Sequence, residues 1–440
     1  MNNEKIYFET IPKFIITLIP VLLITGPFLP DLGVSLIALI FLINSKINNL
    51  SKYYLNIYFK LFIIFWLILI ISSLFSENIF SSLRTSFFYI RFGLFSLCFW
   101  YLLERDEKIL EYLFYSITAC FLALIIDGYI QFFFGKNLFG IEINSNNRVS
   151  SFFGSELILG SYLSRFFPIL FGLFVFIDQK SKLKSRKLLF LITVTFILSE
   201  GLIVLSGERL ALFFMNLSAI FIILLIKNYK KYRFWTYVTS LLLIFLLIFV
   251  FPQIKNRIIK QTINDFTTNP TSKGNEKNNN KIYIFTKSHN DMYVTGIKIF
   301  LSNKLFGVGP RQFRNVCNDY KVSRFSCQSH PHNTYIELLS EAGIFAFSII
   351  LITFLIIIVF SIIQFYNNIF NSKKNYFNDF ELCILSALLI SLWPLSPTGS
   401  FFNNWMSIVY YFPLGILIWQ RANKAKNKEI KSNTVKIFKK

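Results

Sequence analysis

The chain turns apolar about twelve times along its length, and most of these runs approach or exceed the ~20 residues that a helix needs to cross a bilayer. The runs fall at 11–29, 30–43, 55–75, 84–103, 109–134, 157–177, 188–205, 210–226, 235–251, 335–364, 380–394 and 404–420. Lipid offers no partner to open backbone groups, so runs of this type are read as helices. The expected fold is therefore an all-α polytopic membrane protein with about 12 transmembrane helices. Charged residues make up only 15% of the chain, against about one quarter in soluble domains. That excludes a soluble enzyme and a disordered chain, and five cysteines are too few for a disulfide-stapled module. The first run lacks a small-residue cleavage site and reads as a span, not as a signal peptide.

The net charge of +22 would suit a nucleic-acid binder if it were spaced among aromatic residues on one patch. It is instead gathered in loops. Lys180, Lys182, Lys184, Arg186 and Lys187 crowd 178–187, Lys227, Lys230, Lys231 and Arg233 crowd 227–234, and the tail 421–440 is rich in lysine. With twelve spans these segments share one side, whereas the short loops 30–31 and 395–403 on the other side carry no basic residue. The asymmetry places both termini in the cytoplasm and faces the charge toward anionic lipid headgroups. No nucleic acid is expected as a partner. The chain divides into a first transmembrane block (1–251), one long outer loop (252–334), three last spans (335–420) and the basic cytoplasmic tail (421–440).

A loop as long as 252–334 is either functional or disordered. Its stretch 269–281 (NPTSKGNEKNNNK) reads as a linker, and 290–303 as a short amphipathic helix at the membrane surface. All three histidines, His289, His330 and His332, lie in this loop, and histidine is the side chain best suited to moving protons near neutral pH. Surface placement by chance is the plain alternative. In HPHNTYIELLSEAG (330–343), Thr334 followed by Glu337 forms a capping-box pattern. It would start the tenth span just after His332, and a helix start offers unpaired N–H groups to an anion. Glu337 is thereby explained as a cap, and Glu341 as a structural polar contact. In GVGPRQFR (307–314), glycines permit a tight backbone beside Arg311 and Arg314. Arginine makes forked contacts to phosphate. Arg209, at the corner LSGERLALFF (205–214), is a third candidate, with an interface anchor as the alternative.

Charges inside spans are expensive and often functional. Arg91, Asp127, Arg165 and Glu200 all fall in or near the outer half, and internal pairing, such as Arg165 with Glu200, would explain them structurally. Cys317 and Cys327 share the outer loop, where a disulfide closing it would contribute on the order of 2–3 kcal/mol. A zinc site from Cys327, His330 and His332 lacks supporting spacing, and no metal or other cofactor is expected.

These segments together resemble the O-antigen ligase and O-antigen polymerase superfamily of bacterial inner membranes. The likeness rests on His332-Asn333 followed after nine residues by Gly343, on GVGPRQFR, on the SGER corner, on Arg148 in NRVSSFFGSE (147–156) and on SPTGSFFNNW (396–405). Three positions differ from the family pattern: Ala346, Phe213 for a leucine, and Ser288-His289 where relatives carry arginine. The resemblance implies a C-type glycosyltransferase-like fold whose site faces the periplasm. The implied donor is a glycan on undecaprenyl diphosphate, transferred without a metal and with inversion. A ligase would pass it to a sugar hydroxyl of lipid A–core, a polymerase to the next lipid-linked repeat unit. The implied general base is His332. The implied diphosphate contacts are Arg209, Arg311 and Arg314, with Arg148, His289 and His330 in support. The leaving diphosphate needs such donors, and the attacking hydroxyl needs a base that works near neutral pH. A transporter of lipid-linked sugars is the rival from another class. It would need no base and would tend to show internal repeats, which are not evident.

Overall fold

The computed structural model describes residues 6–144, 147–180, 186–267, 285–370 and 376–437. The linker expected at 269–281 lies outside the described residues. Each of the twelve apolar runs contains a helix: α1 (Ile11–Leu22), α2 (Phe28–Asn48), α3 (Ile57–Leu74), α4 (Ile79–Arg105), α5 (Ile109–Phe134), α6 (Leu159–Lys180), α7 (Arg186–Ser206), α8 (Arg209–Leu225) and α9 (Lys230–Val250), then, after the long loop, α14 (Thr334–Ile369), α15 (Asp379–Ser391) and α16 (Asn404–Ile437). The loop itself holds α10 (Pro252–Lys255), α11 (Gln261–Thr267), α12 (Lys287–Ser302) and α13 (Phe313–Tyr320). Eight of the described helices are long and apolar enough to cross a membrane, while α8 is apolar but shorter. The protein is an all-α polytopic membrane protein.

Local chemistry sets the helix ends. The side chains of Asn56 and Asn78 cap α3 and α4 by accepting from Phe59 N at 2.9 Å and Ser81 N at 3.1 Å. Asn378 and Glu381 form a reciprocal capping box on α15. Gly135, with φ 78°, ends α5 in the left-handed conformation that glycine adopts without penalty.

Helices alternate in direction, so the two described chain ends and loops 49–56, 106–108 and 376–378 share one face, and 135–144, 147–158, 252–267, 285–333 and 392–403 the other. The centre is formed by α4, α6 and α16. The apolar stretch of α6 is 83% buried, against 22% for α9 and α14, whose exposed Phe245, Phe249 and Ile362 suit lipid. Gly415 brings α16 against Phe99, which meets Phe412 at 5.2 Å between ring centres.

Of the charges expected inside spans, Arg165 lacks the partner suggested for it and Asp127 has a structural role. Arg165 and Glu200 do not pair: Arg165 lies over the Phe214 ring, 5.1 Å from its centre. Asp127 organises loop 135–153, accepting from Leu138 N at 2.9 Å and Ser151 Oγ at 2.6 Å.

Candidate active site

The site begins with a break in a helix. Gly343, inside α14, has φ 76° and ψ −174°, a backbone that excludes a side chain, and a Cβ there would lie 2.1 Å from Leu305 O. The break frees the last carbonyls of the short segment 334–342. Ser340 O and Glu341 O accept from Val308 N at 3.0 Å and Gly309 N at 2.8 Å. Gly307 and Gly309, with φ 66° and 99°, thread between α14 and the α3–α4 corner. The buried Glu341 carboxylate then takes Arg311 N at 2.6 Å and Phe313 N at 2.8 Å. Its structural role agrees with the sequence reading. Two backbone bonds hold Arg311 at φ 62°, a conformation uncommon outside glycine, and its side chain donates to Phe402 O at 2.9 Å.

The cap of α14 differs from the one expected. Asn333, not Thr334, is the N-cap, and its Oδ1 accepts from both Tyr335 N and Ile336 N at 3.0 Å. These N–H groups are therefore taken and do not offer an anion site. Glu337 is not a cap: it is buried and accepts from Phe401 N at 2.7 Å and from Ser400 Oγ. Thr334 faces Thr398 and Tyr410. Asn333 and Glu337 thus pin loop 394–404 against the histidine segment, where Thr398 N donates to His332 O at 2.8 Å.

The three histidines come together. The His332 ring lies 4.0 Å from that of His330 and 5.8 Å from that of His289, centre to centre. His289 reaches the group from α12, whose N-cap Thr286 meets His289 Nδ1 at 2.7 Å. His330 is held at both nitrogens, Nδ1 by Ser329 Oγ at 2.9 Å and Nε2 by the Thr398 carbonyl at 3.3 Å. A carbonyl only accepts, so Nε2 carries the proton. His332, at φ 54°, makes no side-chain hydrogen bond among the described residues. Burial, with His332 as close neighbour, pulls His289 and His330 down to about 4, and burial lowers His332 as well. All three are neutral near pH 7.

Arginines flank this trio in two groups. Arg84, Arg91, Arg311 and Arg314 line a cleft of about 700 Å³ with Asn404 and Phe88. One carboxylate, Asp31, lines it and takes Arg91 at 2.7 Å. The guanidiniums of Arg84 and Arg314 have no ion pair among the described residues. Burial and the nearby Arg314 lower the pKa of Arg311. In the second group, Arg209 pairs with Asp265 at 2.6 Å and bonds Thr262 at 3.0 Å. Arg148 donates to Ser206 O at 2.8 Å, and Arg257 to Gly207 O at 3.3 Å. Burial lowers the pKa of both, and the charge of Arg209 adds to it. Arg209, Arg311 and Arg314 are therefore divided between the two groups.

Cys317 and Cys327 form the expected disulfide, with Cα atoms 5.3 Å apart, which fixes α13 to the segment before His330. Cys327 is thus not a thiolate for the zinc set considered above, and among the described residues no three His, Cys, Asp or Glu side chains are grouped to hold a metal.

Residues 193–351 match the family model described as O-Antigen ligase. The match covers 159 of the chain's 440 residues and supports the resemblance to the O-antigen ligase and polymerase superfamily. No curated protein matches the chain. The matched region contains the histidine trio, Gly343, Glu341 and both loop arginines. Outside it lie Arg148, loop 394–404 and the two residues of α4, Arg84 and Arg91. Arg84 was not singled out from the sequence, and Arg91 only as a buried charge. The available signal was their spacing of seven, two turns on one helix face. Arg257 carried no such signal.

Proposed function

We propose that the protein is an O-antigen ligase-like glycosyltransferase at the periplasmic face of the bacterial inner membrane, with both termini in the cytoplasm. It would transfer a glycan from undecaprenyl diphosphate to a sugar hydroxyl of lipid A–core. The observation that carries this reading is a cluster of neutral histidines, one with no hydrogen bond to its ring among the described residues, flanked by two groups of arginines on one face of a membrane bundle.

The step follows from these groups. The acceptor hydroxyl loses its proton to His332 as its oxygen bonds to the anomeric carbon. The bond from that carbon to the diphosphate oxygen breaks, and the lipid diphosphate leaves with the electron pair. His332 suits the base role because a lowered pKa keeps it unprotonated at pH 7 and its ring nitrogens make no hydrogen bond among the described residues. His330, engaged at both nitrogens, supports its position, as does His289. Arg209, Arg311 and Arg314, with Arg148 in support, supply the phosphate contacts that lipid-linked substrates need. Guanidiniums take the charge-stabilising role, so no metal is invoked.

A polymerase would use the same groups with a lipid-linked repeat unit as acceptor. A deletion strain whose surface polysaccharide is resolved on a gel separates the two. Loss of a ligase leaves bare core and accumulated lipid-linked chains, whereas loss of a polymerase leaves core bearing one unit. An unaltered ladder would sink both, and full transfer by purified His332→Ala would favour a transporter.

A further inference from the structure

Two groups of arginines serve a reaction that joins two lipid-anchored, phosphate-bearing substrates, and their surroundings differ. Both groups adjoin the trio, but through different members: His289 senses Asp265 and Arg209, and His330 senses Arg314. The cleft of Arg84, Arg91, Arg311 and Arg314 contains no histidine among its lining residues. Arg314 marks its near end, while Arg84 and Arg91, on α4, act on none of the three imidazoles, so an anion seated at that end stands off from the base. A donor diphosphate cannot stand off, because it is bonded to the carbon under attack. An acceptor's phosphate can, because sugar separates it from the reacting hydroxyl.

The cleft is also placed for a lipid. It opens along the outer ends of α2 and α4, where Leu29, Leu32, Phe87 and Phe88 are exposed, an apolar rim of the kind that lies against acyl chains. Its one lining carboxylate is spent on Arg91, the buried Glu337 and Glu341 act on Arg311 and Arg314, and Arg84 has no ion pair among the described residues. Arg91 is further oriented by Asn404 at 3.0 Å and Arg311 by Phe402 O. Loop 394–404, which also bonds His332 through Thr398, thereby couples the cleft to the base.

We propose that this cleft is a second anion subsite, which takes a phosphate group on the saccharide of the acceptor lipid, while the donor diphosphate is held by the Arg209, Arg148 and Arg257 group. The inference rests on the glycosyltransferase reading above. In this division Arg84 and Arg314 determine acceptor affinity and Arg209 determines donor affinity.

The test uses the purified full chain in nanodiscs and two probes, undecaprenyl diphosphate and diphosphorylated lipid A. Arg84→Gln and Arg314→Gln should each weaken lipid A binding roughly tenfold, the effect of losing one charged hydrogen bond, and leave undecaprenyl diphosphate binding unchanged. Arg209→Gln should do the reverse. Equal weakening of both probes by Arg84→Gln would mean one shared anion site and would overturn the division, as would unchanged lipid A binding in both cleft variants. Displacement of lipid A by phosphatidylglycerol at equal mole fraction, or by millimolar inorganic phosphate, would mark a general phosphate site and also overturn it. Wild-type protein that binds neither probe would overturn the glycosyltransferase reading itself.

Discussion

At the end of the bundle that carries both termini, charges meet in pairs. Lys52 reaches Glu104 at 2.7 Å, Arg105 reaches Glu9 at 2.9 Å and Arg421 reaches Glu381 at 3.2 Å, while Lys13 pairs with Asp106 and Lys180 with Glu107. The opposite end has pairs too, such as Arg209 with Asp265, but there four guanidiniums also line a cleft in which Asp31 is the one lining carboxylate among the described residues, and three imidazoles stand together with no acid bonded to any of them among the described residues. The first arrangement neutralises charge and ties helix ends together. The second leaves charge to be neutralised from outside, which is the condition for binding an anion. If the comparison is right, substitutions at the two ends should have different readouts: function at one, little of anything at the other.

The largest effect should come from His332. Removing a general base costs roughly 10²–10⁴-fold in turnover, so His332→Ala should lose that much with donor binding largely kept. Equal losses in donor binding would make it a phosphate contact instead. The pH profile supplies an independent reading. The base must be unprotonated, and burial lowers its pKa below the ordinary value of 6.5. Transfer should therefore persist as pH falls through 6.5 and decline only at lower pH. A limb above 6.5 would contradict the assignment.

Next is Glu341→Gln. The carboxylate accepts two backbone N–H groups, and the amide keeps one acceptor while turning an NH₂ toward the other donor. Leaving a buried donor unpaired costs about 1–3 kcal/mol, which should lower the thermal midpoint of the purified protein. Transfer should fall further than stability alone explains, because Arg311 and Arg314 lose the clamp on their loop. A stable, fully active variant would show that the clamp does not position the arginines.

These two residues mark what the sequence could and could not tell. The twelve apolar helices, eight of them long enough to cross a membrane among the described residues, were legible because lipid imposes a length and an apolar composition that a chain cannot disguise. His332 was legible because its chemistry is rare in this chain. The break at Gly343 was not, since the apolar run continues through it. Nor was the cap: Thr334 and Glu337 have the local spacing of a capping box, but Glu337 is claimed by Ser400 and Phe401, more than sixty residues away, and Asn333 supplies the acceptor. Arg84 and Arg91 stood on another helix from every motif, and only folding sets them beside Arg311. Contacts of this range are decided by packing, which local patterns do not encode.

A smaller effect is expected from Arg311→Lys. Charge is kept, but the planar fork that meets two phosphate oxygens is lost, together with the bond to Phe402 O. Affinity for a phosphate-bearing lipid should drop roughly tenfold, the loss of one charged hydrogen bond, with a lesser fall in turnover. Unchanged affinity would mean that Arg311 braces loop 394–404 and does not touch substrate.

The smallest effect belongs to the opposite end. Lys180 and Glu107 pair with side chains that remain 50% and 44% exposed, and exposed pairs contribute about 0–1 kcal/mol because water and salt screen them. Lys180→Ala should leave both transfer and the unfolding midpoint nearly unchanged, in low salt as in high. Arg84→Gln, which breaks no ion pair at all among the described residues, should by contrast weaken lipid binding without lowering stability. The two variants remove one positive charge each, so net charge cannot explain a difference between them. If both reduced transfer alike, the arginine cleft would be no more than part of a diffuse positive field. If only Arg84→Gln did, the arginine cleft would be distinguished by where its charge sits.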